Sequence, residues 1–401
     1  MIVRVFYNIL TFGRATSMVL LFWISFFLLL YVYIGYPIVV RLLAGKIDNS
    51  IVKNLSYEPF VSILISAYNE ETDIANTIRN KLELDYPKCK FEVIVVSDES
   101  SDRTDEIVQS IVEKEKEVQI RLFRQSPRKG KTSGLNLLVP EAKGEIIVFS
   151  DANSIYDKNA LRILVSNFYD SSIGYVTGKM VYVNSSGAMI GDGCSAYMRY
   201  ENWLRKYETL LGSVVGVDGG IDAMRKTLYQ ALNADQLPDF VQPLKVVENG
   251  FRVAYEERAI LKEQALSNAE NEYRMRVRVS LRALWALHDM KQLLNPMNFK
   301  IFYIQLISHK LFRYLAFIPQ ATLLMSNVFL IPMNAFYLLF FITQVLFFSL
   351  AWMGHASKNS EENAVWLTLP YYFTLLNISS MHATWRYLKG EKQIIWNPRS
   401  G

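Results

Sequence analysis

Several side chains stand where they could handle a charged, phosphorylated small molecule. Asp151 closes the apolar run Glu145-Ile146-Ile147-Val148-Phe149-Ser150. A buried strand that stops in a carboxylate delivers that group to its carboxyl end, where open α/β sheets bind ligands. With the side-chain carbonyl of Asn153, Asp151 offers oxygen ligands to a hard divalent cation that also takes substrate phosphates; an Asx turn accounts for the same triplet. Asp98, after Phe91-Glu92-Val93-Ile94-Val95-Val96-Ser97, is placed to accept hydrogen bonds from a nucleotide base or ribose, while Asp102 suits a helix cap. The segment Arg128-Lys129-Gly130-Lys131-Thr132-Ser133-Gly134-Leu135-Asn136 opens a helix with cations and glycine, a combination that suits a diphosphate. Its glycine spacing and its place after the third strand exclude a Walker loop. Ser66-Ala67-Tyr68-Asn69-Glu70-Glu71 reads by itself as a strand-to-helix turn, with acidic residues favoured at the helix start.

The elements that must carry these groups alternate. Short β-branched runs at 60–66, 91–97, 118–123 and 145–150 predict strands, with helices over 72–84, 103–116, 132–141 and 158–169. That alternation predicts an α/β fold with a mostly parallel, helix-covered sheet. A fifth strand is expected at 173–183, a helix over 193–211, a glycine-bearing turn at Gly216–Arg225, a helix over 239–250 and a strand at 251–255. Glu201, Arg205 and Glu208 on the 193–211 helix are expected on a solvated or locally paired face. A long helix over 270–294 carries Arg274, Arg276, Arg278 and Arg282, an arrangement expected to face anionic lipid.

From Ala15 to Val40 no charged residue occurs, roughly 26 positions where about 20 suffice to cross the hydrocarbon core. No small-x-small cleavage site follows, so an uncleaved anchor is expected rather than a signal peptide. Two further spans are expected near 314–332 and 335–353 and a third over 363–385, after a basic, aromatic interfacial helix at 299–313. Three full C-terminal crossings would separate the sheet domain from the tail bearing Arg386, Lys389, Lys392 and Arg399. The positive-inside rule places both in the cytoplasm, so one segment is re-entrant or the rule fails. The net charge of +5 is mild and mixed in sign, which argues against nucleic acid and for an anionic membrane surface or anionic small substrate. Cys89 and Cys194 lie far apart with no metal-ligand spacing, as expected in a reducing compartment.

Taken in order, strand-SAYNEE, strand-SDESSDRT, RKGKTSGLN and strand-SDANS resemble the family 2 glycosyltransferases, inverting enzymes of the GT-A fold that take a sugar from a nucleotide donor. The resemblance covers about residues 60–256. It extends to Gly216–Arg225, similar to that family's acceptor-side loop with Gly219 and Gly220, and to Leu237-Pro238-Asp239-Phe240-Val241, similar to the position of its catalytic base. The flanking spans resemble the membrane-bound branch that includes hyaluronan, chitin and poly-N-acetylglucosamine synthases. The resemblance implies donor contacts from Ala67, Tyr68, Glu70, Asp98, Lys131 and Asp151, and a Mg2+ or Mn2+ on Asp151 and Asn153. It also implies five segments: an anchor at 1–46, the GT-A catalytic domain at 58–260, acceptor-side and interfacial helices at 261–313, transmembrane helices at 314–388 and a basic tail at 389–401.

Two departures from the family's pattern stand out. Asn153 replaces the second carboxylate of the metal pair, and the processive members' Gln-x-x-Arg-Trp signature is reduced to Arg276 in Tyr273-Arg274-Met275-Arg276-Val277. The resulting expectation is a cytoplasmic-membrane enzyme, with its catalytic domain in the cytoplasm, that moves one sugar from a nucleotide sugar, a UDP-sugar by resemblance, to a membrane lipid or lipid-linked acceptor. Asp239 is its base, although the same residue suits the N-cap of the following helix. A processive synthase that exports its polymer and a silent membrane scaffold are the alternatives.

Overall fold

The structure is a computed structural model that describes residues 2–47, 49–183, 193–264, 269–357 and 365–393. Its centre is one eight-stranded sheet. The strands are β1 (Val61–Ala67), β2 (Phe91–Ser97), β3 (Gln119–Arg124), β4 (Ile146–Asp151), β5 (Ile155–Tyr156), β6 (Ile173–Val183), β7 (Ile221–Arg225) and β8 (Arg252–Gln264), in the order β3-β2-β1-β4-β7-β6-β8-β5. The first half is parallel as the alternation predicts, with Ser66 of β1 opposite Asp151 of β4. The second half is mixed, because β7 runs antiparallel to both β4 and β6 and β5 runs antiparallel to β8. The expected glycine-bearing turn at Gly216–Arg225 is therefore a turn only in its first half. Its second half is a strand that the glycines disguise. Likewise the strand expected at 251–255 runs on to Gln264.

β1 and β2 are buried on both faces, which explains their near-continuous apolar sequence. Ile63, Ile65, Val93, Val95 and Val148 face one core and Leu64, Ile94, Val96 and Ile147 the other. The helices of the domain are α3 (Ile74–Leu82), α4 (Thr104–Lys114), α5 (Lys131–Glu141), α6 (Ala160–Ser166), α7 (Gly193–Leu211) and α8 (Pro238–Glu248), preceded by α1 (Ile2–Leu30) and α2 (Tyr36–Ala44). One charged group crosses the parallel half. Glu92, fully buried in β2, accepts from Ser62 Oγ at 2.6 Å, from the Lys143 backbone N–H at 2.7 Å and from Arg121 Nη2 at 2.9 Å. It thereby joins β1, β2, β3 and the entry to β4.

Beyond the sheet come α9 (Ala269–Asp289), α10 (Pro296–Leu306), α11 (Phe312–Tyr314), α12 (Phe317–Leu330), α13 (Ala335–Ala356) and α14 (Val365–Leu388). Among the described residues two helices are long and apolar enough to cross a membrane, Ala15–Ala44 and Ala335–Ala356. Pro296–Tyr314 and Phe317–Met333, bent by 59°, make a third only as one broken span. The span expected near 314–332 is corrected accordingly: α12 has 14 residues, roughly 21 Å of helix against a core of about 30 Å. The span expected over 363–385 begins outside the described residues. Its helix α14 carries buried Asn377, Ser379 and Ser380 and falls short of the apolarity of the other two. Residues 394–401 of the tail, with Arg399, also lie outside the described residues.

Glu201, Arg205 and Glu208 overturn the solvated-face expectation, being 3%, 5% and 0% exposed. His309 lies between two of them, with Nδ1 2.7 Å from Glu208 and Nε2 3.0 Å from Glu201; Tyr36 of α2 donates to Glu208 at 2.5 Å. Sequence spacing along α7 could not reveal partners that arrive from residues 36 and 309. Arg282 departs from the lipid-facing expectation in the same way, since it is buried against the domain.

Replacing Glu92 by alanine leaves Ser62 Oγ and the Lys143 N–H without this acceptor and takes from Arg121 its closest carboxylate, leaving it the Glu141 carbonyl at 2.6 Å and the Glu141 carboxylate at 3.9 Å. Glu92→Ala is expected to destabilise the domain by about 3 kcal/mol, with Glu92→Gln intermediate, because breaking a buried charge pair leaves the remaining charge poorly compensated. Thermal unfolding of the full chain in detergent checks it; an unchanged midpoint would contradict it.

Candidate active site

Three elements bring three charged side chains together at the carboxyl edge of the sheet. β4 carries Asp151 out of the core, α5 opens with Lys131 after Gly130 at φ +86°, and the first turn of α8 carries Asp239 behind Pro238. Lys131 Nζ lies 2.7 Å from Asp151 Oδ1 and 3.6 Å from Asp239 Oδ1. All three are partly exposed, so they face an open cleft. Burial would lower the Lys131 pKa, but the two carboxylates outweigh it and hold the ammonium above its ordinary value. Asp239 is shifted upward, chiefly by burial, which together with Asp151 exceeds the opposing pull of Lys131. The N-cap of α8 is Leu237, so Asp239 is not a cap and its carboxylate is available to the cleft. Gly219, at φ +86°, lets that carboxylate approach: a Cβ there would lie 2.6 Å from Asp239 Oδ2. Gly220 is similarly confined, against Leu261.

The second wall is built around Asp98. Its carboxylate accepts the backbone N–H groups of Lys129 and Gly130, each at 2.9 Å, and the Gln125 side chain, and lies 3.4 Å from Arg128 Nε. The Ala67 carbonyl accepts the Asp98 N–H at 2.9 Å, and the Arg128 guanidinium sits 3.4 Å over the Tyr68 ring. Asp98 thus organises the basic loop, and Ala67, Tyr68 and Lys131 belong to one cleft. Glu70 belongs to the turn beside it, where its backbone N–H donates to Thr104 Oγ1. Asp102 is structural as expected, accepting from Thr104 and from the Glu71 N–H. Arg276 stands apart from this cleft, paired with Glu272 at 2.8 Å and bonded to the Tyr372 hydroxyl.

Sequence reasoning missed a layer beneath these groups. Asp222 of β7 is fully buried, accepts from the Tyr175 hydroxyl at 2.8 Å through Oδ2, and has no hydrogen-bond partner at Oδ1. Burial, reinforced by Asp239, pushes its carboxyl up to about 7. Its signal was the alternation of β7, where Ile221 and Ala223 share one core and Met224 the other, leaving a carboxylate on an inward face. Lys81 is buried under the loop after β4, donating to the Ser154 carbonyl at 2.6 Å with its ammonium 3.5 Å over the Tyr156 ring. Arg282 donates to the carbonyls of Asp235 and Gln236 and to Thr132 Oγ1, fixing the approach to α8 against the start of α5.

Among the described residues no three His, Cys, Asp or Glu side chains gather as a metal site. Asp151 and Asn153 would be the oxygen donors for a hard divalent cation that completes its shell with water and substrate phosphates.

Residues 62–230 match the family model Glycosyl transferase family 2. The chain is 31% identical over 176 residues to a beta-monoglucosyldiacylglycerol synthase of Trichormus variabilis, a match covering 44% of this chain and 37% of that one. It is 27% identical over 201 residues to a poly-beta-1,6-N-acetyl-D-glucosamine synthase of Staphylococcus aureus, covering 49% of this chain and 48% of the relative. The match thus spans less than half of either relative. A mannosyltransferase from Pyrobaculum calidifontis, solved with GDP-Man and Mn2+, superposes with a TM-score of 0.70 at 19% identity, covering 92% of this chain and 99% of that one. The fold is the GT-A fold.

Asp222 supplies a pH test. Its carboxyl titrates near 3.8 when unfolded and near 7 when folded, so the folded chain holds an extra proton between those values. Its contribution to stability is full below about pH 4 and is lost as pH rises through about 7. Asp222→Asn cannot ionise and keeps an acceptor for Tyr175. The variant is expected to gain stability over wild type at about pH 8, on the order of a few kcal/mol, with the gap closing towards about pH 4. Thermal unfolding across that range checks it, and parallel profiles would contradict it.

Proposed function

We propose that this family 2 glycosyl transferase domain moves a single sugar, with inversion, from a nucleotide sugar to a membrane lipid or lipid-linked acceptor in cell-surface glycolipid or polysaccharide assembly. The observation that carries the reading is Lys131 held between Asp151 and Asp239 at the mouth of the sheet. A partly exposed ion pair adds little to stability, so structure alone gives weak reason for a cation here. A diphosphate to be met gives a stronger one.

Asp239 takes the proton from an acceptor hydroxyl as that oxygen forms a bond to the donor's anomeric carbon. The bond from that carbon to the diphosphate breaks, and its electron pair leaves with the diphosphate. Lys131 and the N–H groups opening α5 face that developing charge, the arrangement that lowers such a barrier most. A Mg2+ or Mn2+ held by Asp151 and Asn153 would supply further positive charge to the same oxygens. The upward shift of Asp239 serves the base, since a carboxylate of raised pKa holds a proton better. UDP is the proposed nucleotide, on the resemblance of the sequence motifs to family 2 glycosyltransferases alone. The spans Ala15–Ala44 and Ala335–Ala356 support integration in a membrane, which this reading takes to be the cytoplasmic membrane with the domain on its cytoplasmic side.

Asp239→Asn is expected to lower kcat by about 100-fold to 10,000-fold, the contribution of a positioned base, while the donor still binds. Steady-state kinetics with isothermal donor titration checks it, and near wild-type turnover would remove the assignment. Chelation of divalent cations is expected to weaken donor binding, with Mn2+ or Mg2+ restoring it. Titration of the donor with and without EDTA checks this, and identical affinities would contradict a metal at Asp151.

A further inference from the structure

At the junction of the domain with the membrane helices, charges are paired one by one. Arg205 reaches Asp218 at 2.6 Å and the Gly216 carbonyl at 3.1 Å, Arg313 reaches Glu201 at 2.5 Å, and His309 lies between Glu201 and Glu208. Lys310, next along the chain, differs. Among the described residues it has no carboxylate within ion-pairing distance, and its one close polar or aromatic contact is the Phe240 ring, 5.9 Å from Nζ. The residue is partly exposed.

Its position is specific. A Cβ on Gly216 would lie 2.3 Å from Lys310 Nζ, and a Cβ on Gly219 would lie 2.6 Å from Asp239 Oδ2. The ammonium and the proposed base therefore rest on two glycines of one loop, three residues and at most about 11 Å of chain apart. Phe240, the residue after Asp239, is the ring nearest the ammonium. The cation enters from the membrane side: Ser308 bonds Tyr31 at 2.8 Å, and Tyr31 and Tyr36 both lie in the second half of the span Ala15–Ala44. Lys310, which Glu201 and Glu208 face only from beyond ion-pairing distance, stands beside the acceptor side of the cleft, where it can receive an anion carried by a lipid.

Resting on the proposed transfer to a membrane acceptor, the geometry points to Lys310 as the site for a phosphate of the lipid acceptor, held while Asp239 addresses a hydroxyl of the same headgroup. The acceptor class is then a phosphate-bearing lipid with a free hydroxyl, not an uncharged diacylglycerol. A bilayer phospholipid that is not itself the acceptor offers the same phosphate, and the experiment separates the two.

The full-length protein is reconstituted in phosphatidylcholine nanodiscs and offered phosphatidylglycerol or diacylglycerol as acceptor, with wild type, Lys310→Gln and Lys310→Arg compared. Transfer to phosphatidylglycerol is expected to exceed transfer to diacylglycerol. Lys310→Gln should raise the KM for phosphatidylglycerol about tenfold with a smaller change in kcat, and Lys310→Arg should restore it, as loss and return of one charge-assisted contact require. Equal use of both lipids, or a loss in kcat alone, would overturn the proposal. Binding is measured in parallel, by native mass spectrometry with short-chain phosphatidylglycerol and short-chain diacylglycerol. This arm needs no turnover: if no sugar is transferred at all, the reading of the site as a transferase fails, while binding that depends on Lys310 still supports the phosphate site. Phosphatidylglycerol binding that is lost in Lys310→Gln without any change in acceptor KM would assign the site to a bilayer lipid and overturn the acceptor claim. Binding unaffected by the substitution would overturn the site itself.

Discussion

A lysine shared by two carboxylates in an open cleft is held in place by charge alone, and the arrangement suits displacement. In the proposed reaction Lys131 exchanges its short contact to Asp151 or its longer one to Asp239 for the oxygens of a diphosphate, and either exchange would free a carboxylate for another partner. Much of the surrounding structure keeps these three groups within reach. β4 is fixed in register between β1 and β7, so Asp151 emerges at one height; Arg282 ties the approach to α8 to the first turn of α5, the elements that carry Asp239 and Lys131. Gly219 completes the constraint, because any side chain at its φ of +86° would meet the Asp239 carboxylate.

A second tier of buried charge supports the first. Lys81 clamps the loop after Asp151 from below, Asp222 sits under the cleft with one oxygen unbonded, and Asp98 spends its acceptors on the loop that leads to Lys131. Buried polar groups of this kind cost free energy unless satisfied. The exception at Asp222 is therefore informative: its raised pKa means that it need not be ionised at neutral pH, which limits the accumulation of negative charge near Asp239.

The parallel half of the sheet was legible because buried strands and their helices leave strong periodic signals, and the placement of Asp98 and Asp151 was legible because they stand where those strands end, although Asp98 gives its acceptors to the basic loop instead of being left open to a nucleotide base. Asp239 was found through family resemblance; as residues alone, Pro-Asp ahead of a helix reads equally well as a cap, and only the N-cap at Leu237 separates the two readings. The mixed half was hidden because five residues of β7 follow two glycines. Glu201, Glu208 and His309 were hidden because their partners are a hundred or more residues apart in the chain, and no spacing rule along α7 reports that. The expected two to three C-terminal spans, one of them re-entrant, remain compatible with α13 and the bent pair; α14 is long enough to span, but its buried Asn and Ser residues leave it less apolar than the candidate spans.

The central claim is that Lys131 moves from its carboxylates to the donor's diphosphate. A structure of the full chain with the nucleotide diphosphate and a divalent cation tests it most directly. Lys131 Nζ is predicted within about 3 Å of a β-phosphate oxygen, with Asp239 released towards the acceptor side. A diphosphate bound elsewhere, with Lys131 still bridging Asp151 and Asp239, would contradict the account.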